Sequence, residues 1–280
     1  MKKIAIIIAS LLLGASALSA QDLAGVTELY NNGAAALGNG EKTAALTAFQ
    51  KALTGATALG DAGKEVADNC KNIIPEIVSS IAKDLFKEGN IDEAVTKAKE
   101  ALELAKSFNL EDSAADIKTL VGQFLAQKGA KALNAKDYAA AIEAYKEVLA
   151  ENPTDGKSAI RLGMAFAANG NTEDAIAAYN LAAQNGQEAA AKKQIAGINL
   201  KAASAALKAK DYKTALEKAL ESAESNPTAN AYKIAGNAAA QLKNYKGAVE
   251  YFGKYLEVNP AAADAAQVKA NIEAFKKLVK

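Results

Sequence analysis

The chain has 280 residues but no histidine, no tryptophan, one cysteine, two methionines and four prolines. Without histidine it lacks the commonest general base, the Ser-His arrangement and the commonest metal ligand. A single cysteine, Cys70, closes no disulfide within the chain and builds no multi-cysteine metal site. As a lone thiol it is expected to be buried and inert, the alternative being a bond to a second chain. No acidic cluster converges in the sequence either, so no catalytic constellation, cofactor or metal is expected. Neither sign of charge dominates, with 33 lysines and arginines against 32 acids, and no basic nucleic-acid footprint is present.

What is present is alanine. Half of the residues are hydrophobic, most of them small, which favours close-packed helices over a sandwich of strands. The pattern is also periodic. From Tyr138 the chain reads Tyr-Ala-Ala-Ala-Ile-Glu-Ala-Tyr145, breaks at Asn152-Pro153, passes Leu162-Gly163 and resumes at Ala175-Ile176-Ala177-Ala178-Tyr179. Ala141 and Ala175 are 34 positions apart, as are Tyr145 and Tyr179, a period that marks a helical repeat array.

The N-terminus carries a different signal. Lys2 and Lys3 precede an apolar run from Ile4 to Leu13, too short to span a bilayer well and followed by small residues, as in a secretory signal. Cleavage is expected after Ala20, with Ala15-Ser16-Ala17 as a second candidate, and an uncleaved membrane anchor is the rival reading. The ending Leu18-Ser19-Ala20-Gln21 resembles secretory signals of Bacteroidetes. Removing residues 1–20 takes away two lysines and no acid, so the formal net charge of +1 turns slightly negative. No later segment is apolar enough to cross a membrane, and the mature chain is expected to be exported, periplasmic, and either soluble or peripherally attached to the envelope.

Helical periodicity starts near Asp22, with Leu29, Gly33 and Ala36 on one helix. After the Gly38-Asn39-Gly40 turn, Ala45, Leu46, Phe49, Ala52 and Leu53 form the apolar face of the next. Gly40-Glu41-Lys42-Thr43 hints at a phosphate loop, but an acid stands where the Gly-Lys-Ser/Thr succession is needed. Residues 55–72 are less regular, a helix extension or a connector. A helix is expected over 74–86 with Pro75 in its first turn, then a second-helix pattern at Ala94, Val95, Ala98, Ala101 and Leu102. Residues 117–133 lead to the next turn. Residues 184–196 are expected to be a short helical insertion between pairs, and residues 199–208 and 212–223 the pair that follows. The last pair ends at Asn259-Pro260, and a tail helix over 262–280 has Val268, Ile272, Phe275 and Leu278 on its apolar side.

These residues resemble the tetratricopeptide repeat. The matches are Gly129, Tyr138, Ala141, Tyr145 and Pro153 in a third unit and Leu162, Gly163, Phe166, Ala175 and Tyr179 in a fourth. Ala203, Tyr212, Ala215 and Pro227 mark a fifth, and Tyr232, Gly236, Tyr245, Ala248, Phe252 and Pro260 a sixth. Gly33, Ala45, Phe49 and Ala52, then Ala82, Leu85, Ala94 and Ala101, carry weaker first and second units. No unit has the family's tryptophan. The resemblance implies an all-α, right-handed superhelical solenoid of five to six helix pairs with a C-terminal capping helix. It divides the chain into a signal peptide (1–20), degenerate repeats (21–121), a well-matched array (122–260) and the cap (261–280). Tyr145, Tyr179 and Tyr212 are expected at packing positions rather than in a binding stripe.

The resemblance also implies a function: protein binding without catalysis, in a groove lined by the first helix of each pair. Its register nominates Gln123, Ala126 and Ala130 in the third unit, and Lys157, Ile160, Met164 and Ala168 in the fourth. Leu200, Ser204 and Lys208 follow in the fifth, and Lys233, Asn237 and Gln241 in the sixth. This mixture of short apolar side chains, amides and lysines suits an extended peptide or a partner helix. Lys157, Arg161, Lys233 and Asn237 resemble pieces of a clamp for a peptide carboxylate, though in reverse order along the array. Asp112-Ser113-Ala114 matches a short O-glycosylation pattern that makes Ser113 a candidate acceptor. An exported interaction scaffold is the leading expectation, with a self-assembling envelope protein as the alternative and a ligand-binding protein or enzyme behind it.

Overall fold

In the computed structural model, residues 23–279 are described; the signal segment lies outside them. Among the described residues the chain is helical throughout, without strands, and it divides into two compact units at 131/132.

The first unit holds α1 (Leu23–Gly38), α2 (Lys42–Ala58), a 3-10 turn at Gly60–Gly63, α3 (Lys64–Lys87), α4 (Ile91–Ser107) and the greater part of α5 (Glu111–Asn134). α1 packs on α2, α2 on α3, and α3 on α4. Ala45, Phe49 and Ala52 are fully buried on α2, and Ala94, Ala98 and Ala101 on α4, as their periodicity requires. The lysine of the failed phosphate loop, Lys42, is ion-paired with Asp84 of α3. The stretch expected to be irregular is mostly helix: α2 runs to Ala58, and α3 starts at Lys64. Pro75 therefore sits deep inside α3 rather than in a first turn. Its ring removes the N–H that would bond the carbonyl of Lys71; burial of Cys70, Ile74, Ile77 and Val78 along the same face offsets that loss. Cys70 is free and fully buried, and burial pushes its thiol up to about 11.

The second unit holds α6 (Tyr138–Glu151), α7 (Gly156–Ala168), α8 (Thr172–Ala182), α9 (Glu188–Lys208), α10 (Tyr212–Ser225), α11 (Ala229–Gln241), α12 (Tyr245–Val258) and α13 (Ala265–Lys276). The helices pair as α7/α8, α9/α10 and α11/α12, and α13 caps the last pair. The expected short insertion is not separate. After a kink at Asn185 and Gly186, residues 188–208 form one continuous helix, so the extra residues lengthen α9 at its N-terminal end. The Asn185 side chain donates to the Leu181 carbonyl at 2.8 Å, and Asn185's own carbonyl packs against Gly156, where a Cβ would come within 2.3 Å. On α13, Val268 is buried while Leu278, past the helix end, is 52% exposed rather than part of the apolar side.

A size rule sets how the two helices of a pair meet. A Cβ on Gly33 would lie 3.1 Å from the Phe49 ring, on Gly163 2.5 Å from Tyr179, and on Gly236 2.8 Å from Phe252. Each glycine stands 16 positions before its aromatic partner. At the same spacing, Ala82 faces the register of Ala98, and Ala203 that of Ala219, all fully buried. Glycine is thus matched with an aromatic and alanine with alanine, so that no pair sets a Cβ against a buried ring. Tyr212 departs from its expected place: it opens α10, is only half-buried, and shares the register of Tyr138 and Tyr245. The place of Tyr145 and Tyr179 is taken in that pair by Ala219.

Candidate binding face

In the second unit the first helices of successive pairs adjoin: α7 touches α9, and α9 touches α11. Each buries the stripe that holds its small residue against the second helix of the pair and leaves another stripe open. On α7 that stripe is Lys157, Arg161, Met164 and Ala168, all exposed, with Ile160 half-buried beside it. On α9 it contains Lys201 and Lys208, exposed, and Leu200 and Ser204, half-buried. On α11 Asn237 and Gln241 are exposed and Lys233 is half-buried. Counted from Gly163, Ala203 and Gly236, Met164, Ser204 and Asn237 occupy one register, and Ala168, Lys208 and Gln241 another. Gln123, exposed, and Ala126, half-buried, lie on α5 within the first unit.

Two of the nominated cations have neighbours of their own. The Lys233 ammonium pairs with Asp264 at 2.6 Å and lies 5.6 Å from the centre of the Tyr255 ring, while the Tyr255 hydroxyl donates to the other Asp264 oxygen at 2.5 Å. The hydrogen bonds from Lys233 and Tyr255 hold the Asp264 carboxyl below its usual range, and the same contacts raise Lys233 and Tyr255. Lys233 thus ties α11 to the start of the cap. Arg161, the chain's one arginine, lies near the buried Tyr145 hydroxyl. Burial raises the Tyr145 pKa and the neighbouring guanidinium pulls it part of the way back, but among the described residues the hydroxyl meets no partner with regular hydrogen-bond geometry. The three cations among the residues likened to a carboxylate clamp, Lys157, Arg161 and Lys233, are therefore not equally free.

Local chemistry fixes where α7 begins. Asp155 accepts from the Lys157 and Ser158 amides at 3.0 and 3.1 Å and from the Ser158 hydroxyl at 2.7 Å, an N-cap that sets the phase of the stripe above. Ser113, in the first turn of α5, is half-buried and its hydroxyl donates to Glu76 of α3 at 2.7 Å. Lys201 is not among the residues nominated from the sequence. The signal that marks it is its register, two positions before the small residue, where α7 has Arg161.

Among the described residues the chain is all-α, and in the second unit its helices are stacked in pairs. Residues 128–190 and 200–271 match the tetratricopeptide repeat family. No curated protein matches the chain. Among solved structures it is similar to the crystal structure of the MamA protein (TM-score 0.39, 21% identity, covering 56% of this chain and 83% of that one). It is also similar to MamA 41-end from Desulfovibrio magneticus RS-1 (TM-score 0.36, 16% identity, 68% and 97%). A third is YrrB, described as a TPR protein with an unusual peptide-binding site (TM-score 0.37, 20% identity, 74% and 96%). Among the described residues no helix is long and apolar enough to cross a membrane.

Proposed function

We propose that the chain is a non-enzymatic interaction scaffold of the bacterial cell envelope, which holds a partner peptide or helix along the open stripes of α7, α9 and α11. The observation that supports this is the shared register of those stripes. Met164, a large apolar side chain 43% exposed, lies in line with the hydroxyl of Ser204 and the amide of Asn237 on consecutive, adjoining helices. An apolar anchor flanked by regularly spaced polar groups is what an extended ligand needs for affinity and register. Export by the N-terminal segment places this activity outside the cytoplasm. Ser113 carries an O-glycan in this reading only by giving up its bond to Glu76, and an intact mass equal to the bare mature chain removes that part of it.

The test is site-directed photocrosslinking in the native envelope, with the reactive group at Met164 or Asn237 and, as a control, at Glu224 on α10. A discrete adduct from the first two positions and none from the third is expected. An adduct only from Glu224 moves binding to the other face of the array. The second reading, self-assembly, draws on the apolar Leu278 and Val279, 52% and 41% exposed past the end of α13. Light scattering separates it, because a monomer at all concentrations excludes it.

A further inference from the structure

The same face has an uncompensated charge. α7 holds Lys157 and Arg161 and no acid. α9 holds four lysines and a single acid, Glu188, which pairs with Lys192 at 2.6 Å. Among the described residues no carboxylate lies within ion-pairing distance of Lys157, Arg161, Lys201 or Lys208. On α6, α10 and α12, by contrast, some lysines have an acid beside them: Lys146 meets Glu143 at 3.5 Å, Lys218 meets Glu221 at 2.8 Å and Lys254 meets Glu250 at 2.8 Å.

Folding does not account for this arrangement. Lys157 stands in the first turn of its helix, the end at which the macrodipole disfavours a cation. Arg161 and Lys201 share a register on adjoining helices, where like charges repel. Cations left unpaired, set in phase and placed beside exposed Met164 form the complement of a ligand with carboxylates and apolar groups interspersed.

We propose that the occupant of this face is an acidic segment of a partner protein, with side-chain carboxylates meeting Arg161, Lys201 and Lys208 and an apolar side chain resting on Met164. This rests on the reading that the open stripes of α7, α9 and α11 are the binding face, and adds to it the chemistry of what binds.

The test is fluorescence anisotropy with the purified protein and three labelled probes: a peptide of glutamate with interspersed leucine, its glutamine counterpart, and duplex DNA of matched charge. Two double variants accompany it. R161E/K201E reverses the charges on the face, and K213E/K246E makes the same change in net charge at exposed lysines of α10 and α12. Helical content and melting by circular dichroism verify that both fold. The glutamate peptide is expected to bind at least about ten-fold more tightly than the glutamine one, and to weaken with salt. R161E/K201E is expected to lose about ten-fold or more and K213E/K246E less than about two-fold. Equal binding of the two peptides, abolished by Met164→Asp, keeps the face and overturns its acidic ligand. DNA bound as tightly as the glutamate peptide and lost in R161E/K201E overturns the proposal in favour of a general polyanion surface. Self-association that R161E/K201E relieves, without peptide binding, makes a second copy the occupant and overturns it as well. A monomer that binds no probe overturns the acidic ligand and, if Met164 and Asn237 also give no crosslink, the face with it.

Discussion

The α-carbon of Gly163 lies so close to the Tyr179 ring that a Cβ there would be 2.5 Å from Cε1. Tyr179 is 1% exposed, and burial pushes its hydroxyl up to about 12, so the ring has no room to retreat. Gly163→Ala is expected to destabilise by about 1–3 kcal/mol through overpacking, and Tyr179→Ala by about 3–5 kcal/mol through the cavity it leaves. The double variant recreates the Ala203 and Ala219 pairing found elsewhere in the array. It should cost less than the sum of the two, a coupling that denaturant melts of all four proteins measure. Additive losses would separate the two residues and sink the size rule.

The same pairing shows why much of the fold was legible. Ala141, Tyr145, Ala175 and Tyr179 are buried because a 34-residue period brings a small or large side chain back to the same interface, and spacing alone reveals that. Features that break the period were harder to place. Pro75 read as a helix start because its missing N–H suits a first turn, but tertiary burial keeps it inside α3. Residues 184–196 read as an insertion because they exceed the repeat, yet past the kink at Asn185 and Gly186 residues 188–196 join α9 without a break. At the candidate face, register placed Met164 and Asn237 on exposed stripes, but the engagement of Lys233 by Asp264 depends on a cap 31 positions later in sequence. Lys201 was visible only as one lysine among many, since an unpaired charge becomes evident when the surrounding acids are located.

The cap should loosen at both ends of the pH scale. Asp264 has a lowered folded pKa, so its contribution is present above the ordinary carboxylate value and is lost as pH falls through the lowered one, below about 4. Lys233 and Tyr255 have raised folded values; their contribution is present below their ordinary values, and is lost as pH rises past the raised ones, above about 10. Thermal melts of wild type and Asp264→Asn should differ at about pH 7, and the difference should shrink as pH falls below about 4. A difference unchanged between these conditions would remove the ion pair from the account of how α13 is held.

Tyr145 offers a test of a buried hydroxyl. The ring is fully buried, and among the described residues its oxygen has no partner with regular hydrogen-bond geometry, the Arg161 guanidinium being its polar neighbour. Removing an unsatisfied hydroxyl costs no bond and spares its desolvation, so Tyr145→Phe should leave stability unchanged or raise it by about 1 kcal/mol. Chemical denaturation measures this directly. A loss of about 1 kcal/mol or more would mean that Arg161 does bond the hydroxyl, and that the stripe on α7 is anchored through it.

The turns between paired helices carry the last prediction. Each places one residue in the left-handed region: Gly40, Gly89 and Gly170 in three of them, and Lys136, Lys210 and Lys243, with φ of 61°, 61° and 57°, in the others. Lysine there is crowded by its Cβ, a penalty glycine escapes. After Lys210 the amide of Asp211 bonds the Ala206 carbonyl at 2.9 Å, and the Asp211 side chain accepts from the Thr214 amide at 3.2 Å. The turn is thus held by bonds that a glycine at position 210 would leave in place. Lys210→Gly relieves the strain but gives the unfolded chain more freedom, and the two effects oppose each other. Strain is the larger, because the conformation costs roughly 1–2 kcal/mol for a residue with a Cβ. The variant should therefore gain roughly 0.5–1 kcal/mol. Lys210→Ala, which keeps the Cβ, should gain nothing. Equal melting of the glycine and alanine variants would show that the lysine side chain, rather than its backbone, sets the stability of this turn.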